Sequence, residues 1–424
     1  MKIEFRKLIT AYRKAKVDLY YSTNPSLFAI ADYEDNLEQN LKKLHTQINS
    51  NDSDWVDDIS FLGGWSLIPK SYSVETALGE DAECKCDKAS PAGIVFASSA
   101  RSQNKYNPCE DNLTTSTATF RLMAECSLDF HVLSALWIME VGAFFDAKLA
   151  DSVRGSRLRR QDAGDKSFNE GALGSFKPYL QPFKAWRDDG INAMRAGLSA
   201  NKNLLALTAD ATSYYHRLDP DFMLTPSFHA AIGLELNTSQ HLLNSLFVRA
   251  LKAWAKKTPL QKGLPVGLPA SAIIANMALY ELDLIIEREL RPIYYGRYID
   301  DIMLVLENKT EICSQADIWE LIANTSGTQI TLSSDKTKVS FSTSYLANST
   351  IEFENSKNRA FVLDGFEGKT LIDAIAEQIY LRASEWRALP NLPLTPLEVA
   401  TDLMKATNVN GNPILTHLPH KSVI

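Results

Sequence analysis

The stretch PIYYGRYIDDIMLVLEN, Pro292 to Asn308, sets the tightest condition on any fold this chain can adopt. Aromatic and β-branched residues flank two adjacent carboxylates, and such residues favour a pleated surface shielded from water. Tyr298 and Ile299 are expected to finish one strand and Ile302 to Leu306 to form the next, leaving Asp300 and Asp301 in the connecting turn of a buried hairpin. Aspartate in a tight turn has a local use, because its side chain bonds nearby backbone amides. A third acid in a matching context makes that use insufficient. In NLLALTADATSYYHRLDPDF an apolar run of strand length ends at Asp210 and turns into a helix. Like charges about 4 Å apart repel by roughly 1 kcal/mol in water and roughly 4 kcal/mol at an effective dielectric near 20. Three acids in one place therefore call for a cation. Oxygen ligands with room for water and phosphate suit Mg²⁺, and two such ions on an aspartate cluster suit in-line phosphoryl chemistry.

Two more segments accompany the acids. In QKGLPVGLPASAIIANMALYELDLII, Gly263, Gly267 and two prolines make a bend ahead of an apolar run with helical spacing, and glycine there lets backbone approach a ligand closely. In QITLSSDKTKVSF, Lys336 follows a strand and a short polar turn. Upstream, the first 60 residues read as helical: in FRKLITAYRKAKVDLYY apolar positions recur at three- and four-residue steps. Arg6, Lys7, Arg13, Lys14 and Lys16 form the most basic local cluster, either a solvated helix face or an RNA-contacting one. FLGGWSLIPKSYSV reads as strand and turn, and a polar, loop-rich stretch follows to SSARSQNKYNPCEDNLTT. FRLMAECSLDFHVLSALWIMEVGAFFDAKL is then a strand and a long helix, and RGSRLRRQDAGDKSFNEG a basic loop.

Composition narrows the class. A chain of 424 residues with 45% hydrophobic and 22% charged side chains buries a large core in two or three lobes. Its net charge of −7 excludes a surface coated in positive charge, so a nucleic-acid partner would need a local basic groove. The start lacks an apolar signal core, and the run VLSALWIMEVGAFF is broken by Glu140, so no spanning helix, no membrane and a cytoplasmic location are expected. Five cysteines do not make a disulfide framework. Cys84, Cys86, Cys109 and Cys126 lack the usual zinc spacing and read as loop thiols.

In order and spacing, the strand ending at Asp210, the Gly-Pro bend before a helix, the Y-x-D-D hairpin and the D-K-T turn resemble the palm of a reverse transcriptase, over about Leu204 to Phe341. The resemblance implies an α+β fold, a right-hand polymerase with fingers and an antiparallel palm sheet flanked by helices, and a helical C-terminal region. It divides the chain into an N-terminal helical region (1–60), a fingers-like region (61–203), the palm (204–345) and a helical thumb-like region (346–424). Asp210 and Asp300 match the metal-binding aspartates, with Asp301 beside them and the Ala211 carbonyl facing the same metals. Tyr215 falls at the steric gate that crowds a ribose 2′-hydroxyl, and Lys336 at the lysine that protonates departing pyrophosphate. Val266 stands where relatives carry Gln, and with Gly267 would touch incoming nucleotide or template; Leu268 replaces a usual small polar residue. Arg157, with Arg159 and Arg160, is the candidate cation for the triphosphate.

The expected activity is RNA-directed DNA polymerisation from dNTPs with Mg²⁺. The flanks AYRKAKVDLYY, FLGGWSLIPKSYS and GSRLRR are similar to abortive-infection and other defence-associated reverse transcriptases. That similarity implies antiviral defence, a noncoding RNA as template or scaffold, and a partner reverse transcriptase or homo-oligomer. The remainder after Lys336 carries no ribonuclease H, maturase-like or integrase-like pattern, so a compact bacterial enzyme is expected over a retroviral or mobile-intron one. The alternatives are an RNA polymerase, a template-independent or protein-primed terminal transferase, and a catalytically idle RNA-binding scaffold.

Overall fold

The computed structural model describes residues 2–22, 27–76, 114–162, 166–310, 312, 314–327, 329–354 and 357–382. Cys84, Cys86 and Cys109 lie outside them. Three helices open the chain: α1 (Phe5–Tyr20), α2 (Leu27–Asp35) and α3 (Leu37–Asn49). Leu8, Ala11, Tyr12 and Ala15 of α1 are buried, at the three- and four-residue spacing that puts them on one stripe. Three of the five basic residues have partners elsewhere in the chain. Lys7 pairs with Glu140 at 2.6 Å and Lys16 with Glu34 at 2.5 Å. Lys14 is buried, donates to the carbonyls of Asn169 (3.1 Å) and Ala172 (2.9 Å), and lies 4.6 Å over the Phe168 ring.

A long antiparallel hairpin follows, β1 (Gly63–Thr76) with β2 (Thr114–Cys126). After it, α4 (Leu128–Asp146) runs through the core, a continuous helix containing a π turn at Ile138–Gly142. By length and composition α4 could cross a membrane, contrary to the expectation that Glu140 rules such a span out; most of it is packed inside the protein. Ser127 caps it by accepting from Phe130 N at 3.1 Å. Phe130, Trp137 and Phe145 are fully buried, and the Trp137 indole donates to Asn244 at 2.9 Å. That asparagine belongs to α6 (Thr238–Lys256), which follows α5 (Leu180–Ser199) and opens on an Asn237–Gln240 capping box.

The central sheet has the order β4-β5-β3-β9, antiparallel at every junction, from β3 (Leu204–Asp210), β4 (Tyr294–Tyr298), β5 (Asp301–Glu307) and β9 (Arg359–Leu363). Strands covered on both faces read as near-continuous apolar runs, which explains LLALTA and IMLVL. Leu204, Ala206, Met303 and Val305 enter a core with α5 residues Phe183, Trp186 and Met194. Leu205, Leu207, Ile302 and Leu304 enter the main core with Leu282 and Ile286. A second sheet, β6 (Ile330–Leu332), β7 (Lys338–Phe341) and β8 (Ile351–Glu354), docks at the end of β3 through the Ala211–Phe353 bridge. The central sheet thus continues beyond residue 345. Residues 351–354 and 359–363, expected in a helical C-terminal region, are strands, and the helix there is α10 (Gly365–Arg382), after α7 (Pro269–Ala278), α8 (Tyr280–Ile285) and α9 (Gln315–Ser326). β9 is strand rather than helix because β3 has an unpaired edge that an apolar segment can complete.

Candidate active site

Antiparallel pairing sets Asp210 directly opposite Asp301 at the end of β3 and β5. Strand side chains alternate between faces, so both aspartates emerge in step with Leu204, Ala206, Met303 and Val305, on the same face. Opposed residues hold their Cβ atoms about 4.5–5.5 Å apart. Asp300 lies in the turn one residue before, and its carbonyl accepts from Ala211 N at 3.4 Å. The sheet register therefore brings together three acids that are remote in sequence. Burial, then the charge of Asp210, pushes the Asp300 carboxyl up to about 7. Burial, then Asp300 and Asp210, pushes Asp301 up to about 8. Arg121 and Arg297 act on Asp300 in the opposite direction.

This donor set fits divalent magnesium: all oxygen, crowded with like charge, and relieved of its ionisation penalty when a cation binds. Among the described residues no three His, Cys, Asp or Glu side chains close into a ready-made metal cage. Mg²⁺ seldom asks for one, since it keeps waters and takes substrate phosphates as ligands.

Tyr215 stands on the short helical turn Tyr214–Arg217. The Tyr214 hydroxyl is buried and donates to the Ala275 carbonyl at 2.6 Å, while Tyr215 meets it edge-on, ring centroids 6.1 Å apart. Burial, then the Asp300 charge, pushes the Tyr215 phenol well above its usual range, so a neutral ring sits beside that carboxyl. The Gly-Pro bend holds this turn: Leu264 N donates to the Tyr215 carbonyl at 2.8 Å. Gly263 (φ +103) and Gly267 (φ +109) occupy conformations that other residues avoid, and a Cβ at Gly263 would meet His216 Cα at 2.8 Å. The Val266 carbonyl accepts from Ala124 N at 2.9 Å, tying the bend to β2, the strand that carries Arg121.

Arg157 is not placed for a triphosphate. Its guanidinium donates to Asp146 Oδ1 (2.9 Å) and to the carbonyls of Asp146 (3.0 Å), Leu149 (3.3 Å), Ala150 (2.8 Å) and Val153 (2.8 Å). It closes the C-terminal end of α4, where carbonyls lack intrahelical partners. Arg160 bonds the same fully buried Asp146, and Arg159 donates to the Phe176 carbonyl at 2.8 Å. The local signal was present: the arginines follow directly on a long helix that needs donors. Lys336 pairs with Glu320 of α9 at 2.6 Å, in a turn where Asp335 accepts from Thr337 and Ser333. Sequence reasoning missed Arg121, hidden in an ordinary strand, and Arg297, a charged residue inside an apolar one.

No curated protein sequence matches the chain. The sequence profile described as reverse transcriptase (RNA-dependent DNA polymerase) matches residues 116–361, from within β2 to within β9, a longer span than the palm motifs alone. More than half of the chain is covered, and enzymes of this kind copy RNA into DNA from dNTPs, generally with divalent metal ions. The chain therefore belongs to the reverse transcriptase family and is a nucleotidyltransferase, an RNA-directed DNA polymerase.

Proposed function

We propose that the protein extends DNA on an RNA template by a two-metal mechanism centred on Asp210, Asp300 and Asp301. The observation that carries this reading is the register: Asp210 opposite Asp301, with Asp300 adjacent, and two of the three carboxyls pushed far above their usual range. Magnesium held by these carboxylates and the Ala211 carbonyl would supply the charge neutralisation and nucleophile activation of in-line phosphoryl transfer. The residues do the rest. Asp210 and Asp301 would fix the ligand spacing through the strand pairing, and Asp300 would complete the set from the turn. Tyr215, neutral and beside Asp300, would crowd a 2′-hydroxyl and favour deoxynucleotides. Arg121, on the strand tied to the Val266 bend, would meet the triphosphate in place of Arg157, whose guanidinium is taken up at the end of α4. Val266 and Gly267 would meet nucleotide or template along that bend. Lys336 would protonate pyrophosphate after leaving Glu320.

The similarity of the flanking segments supports a place in antiviral defence, in the cytoplasm, with a noncoding RNA as template or scaffold and a second polymerase subunit as partner. The direct test of the chemistry is incorporation of labelled dNTP on a primed RNA template. Asp300→Ala with Asp301→Ala should abolish it while thermal melting stays cooperative; undiminished incorporation by that folded variant would remove the assignment.

A further inference from the structure

We propose that Arg297 is a positioning residue, one that holds the Ile299–Asp300 turn, between β4 and the Asp301 end of β5, in the conformation a divalent cation needs. The inference rests on the reading of these aspartates as metal ligands and adds what aims them. Arg297 lies on β4, an outer strand of the central sheet, yet is fully buried. All five of its N–H groups are used. Nε and Nη2 donate to the two carboxylate oxygens of Asp283 at 2.7 and 2.6 Å, and Nη2 also to the Asn276 carbonyl at 3.0 Å. Nη1 donates to Asn276 Oδ1 at 3.0 Å and to the Ile299 carbonyl at 2.6 Å.

That last bond reaches the turn. Ile299 adopts φ +61, a left-handed conformation that β-branched side chains avoid. Its carbonyl belongs to the planar peptide from which Asp300 departs, so pinning the oxygen orients the Asp300 backbone. The preceding peptide is confined as well: Gly155 packs so closely on it that a Cβ there would stand 2.7 Å from Ile299 N and 2.9 Å from the Tyr298 carbonyl carbon. Asn276 closes the ring by donating to the Gly155 carbonyl at 2.9 Å, and the Tyr295 hydroxyl steadies Asp283 at 2.5 Å. A buried ion pair contributes little to stability beyond what apolar side chains of similar size would give. Its geometry is what apolar side chains cannot supply: a rigid fork with one prong on an otherwise unfavoured turn.

The test is Mn²⁺ binding to the metal-free protein, read by electron paramagnetic resonance, with nucleotide incorporation read alongside. Arg297→Lys keeps the charge and loses the fork, and should weaken Mn²⁺ binding about tenfold, the usual size of a supporting-residue effect. Adding Ile299→Gly should restore binding, because glycine enters the left-handed region without a clamp. A folded Arg297→Lys protein with undiminished Mn²⁺ affinity overturns the proposal, as does a loss that Ile299→Gly leaves untouched. Should Arg297→Lys fail to fold, Arg297→Met with Asp283→Leu removes both charges at similar volume and is read by the same two criteria. Asp300→Asn separates the layers. If it loses Mn²⁺ while Arg297→Lys keeps it, the positioning role alone falls; if Asp300→Asn binds Mn²⁺ as before, the ligand assignment falls and takes the positioning role with it.

Discussion

Replacing Asp300 with Asn should stabilise the metal-free protein, although it removes a proposed catalytic group. The Asp300 carboxyl moves from an ordinary 3.8 to about 7 through burial and the charge of Asp210. A group raised in this way stabilises the fold fully below its unfolded value, and that contribution disappears as pH climbs through the folded one. At pH 8 the folded protein therefore carries a carboxylate that unfolding would relieve. About three pK units at 1.36 kcal/mol each give a ceiling of ~4 kcal/mol, and partial contact with water halves this to ~2 kcal/mol. Unfolding 424 residues at ~2.1 cal/mol/K per residue makes the melting entropy ~0.9 kcal/mol/K, so Tm should rise by about 2 °C. The assay is thermal melting in chelator at pH 8 and pH 4, with and without added Mg²⁺. Asp300→Asn should melt higher at pH 8 and level with the parent near pH 4. Magnesium should raise the parent's Tm at pH 8 more than the variant's. A shift equal at both pH values, or none at pH 8, would refute the electrostatic reasoning.

Tyr215→Ala should raise ribonucleotide incorporation relative to deoxynucleotide incorporation, measured as the ratio of kcat/KM values; an unchanged ratio removes the gate role. Arg157→Ala should lower stability by about 3 kcal/mol, because it strips a partner from buried Asp146, while KM for dNTP in the folded fraction stays the same. Arg121→Ala should do the reverse, raising KM with Tm unmoved. Lys336→Ala should reduce kcat with KM unchanged, and an unaltered kcat would remove the proton-donor role.

The two strands of the acidic hairpin were legible because their residues are β-branched and aromatic on both faces, and the left-handed glycines of the bend because nothing else tolerates φ above +100. The family was legible as well, through four short motifs in order. Lys14 was not, since burial of an ammonium among three carbonyls depends on a loop more than 150 residues away. Arg157 misled because arginine has one appearance in a sequence whether it meets a phosphate or closes a helix.

The sequence by itself determined the strand that ends at Asp210, the hairpin that carries the other two acids, and the family they serve, because these follow from local spacing and residue type. Only the tertiary structure decided that Asp210 faces Asp301, that β9 rather than a helix completes the sheet, and that Arg121 and Arg297 are the cations acting on Asp300. Those outcomes depend on strand register and burial, which arise from contacts between residues far apart in the chain and leave no pattern in any one stretch of it.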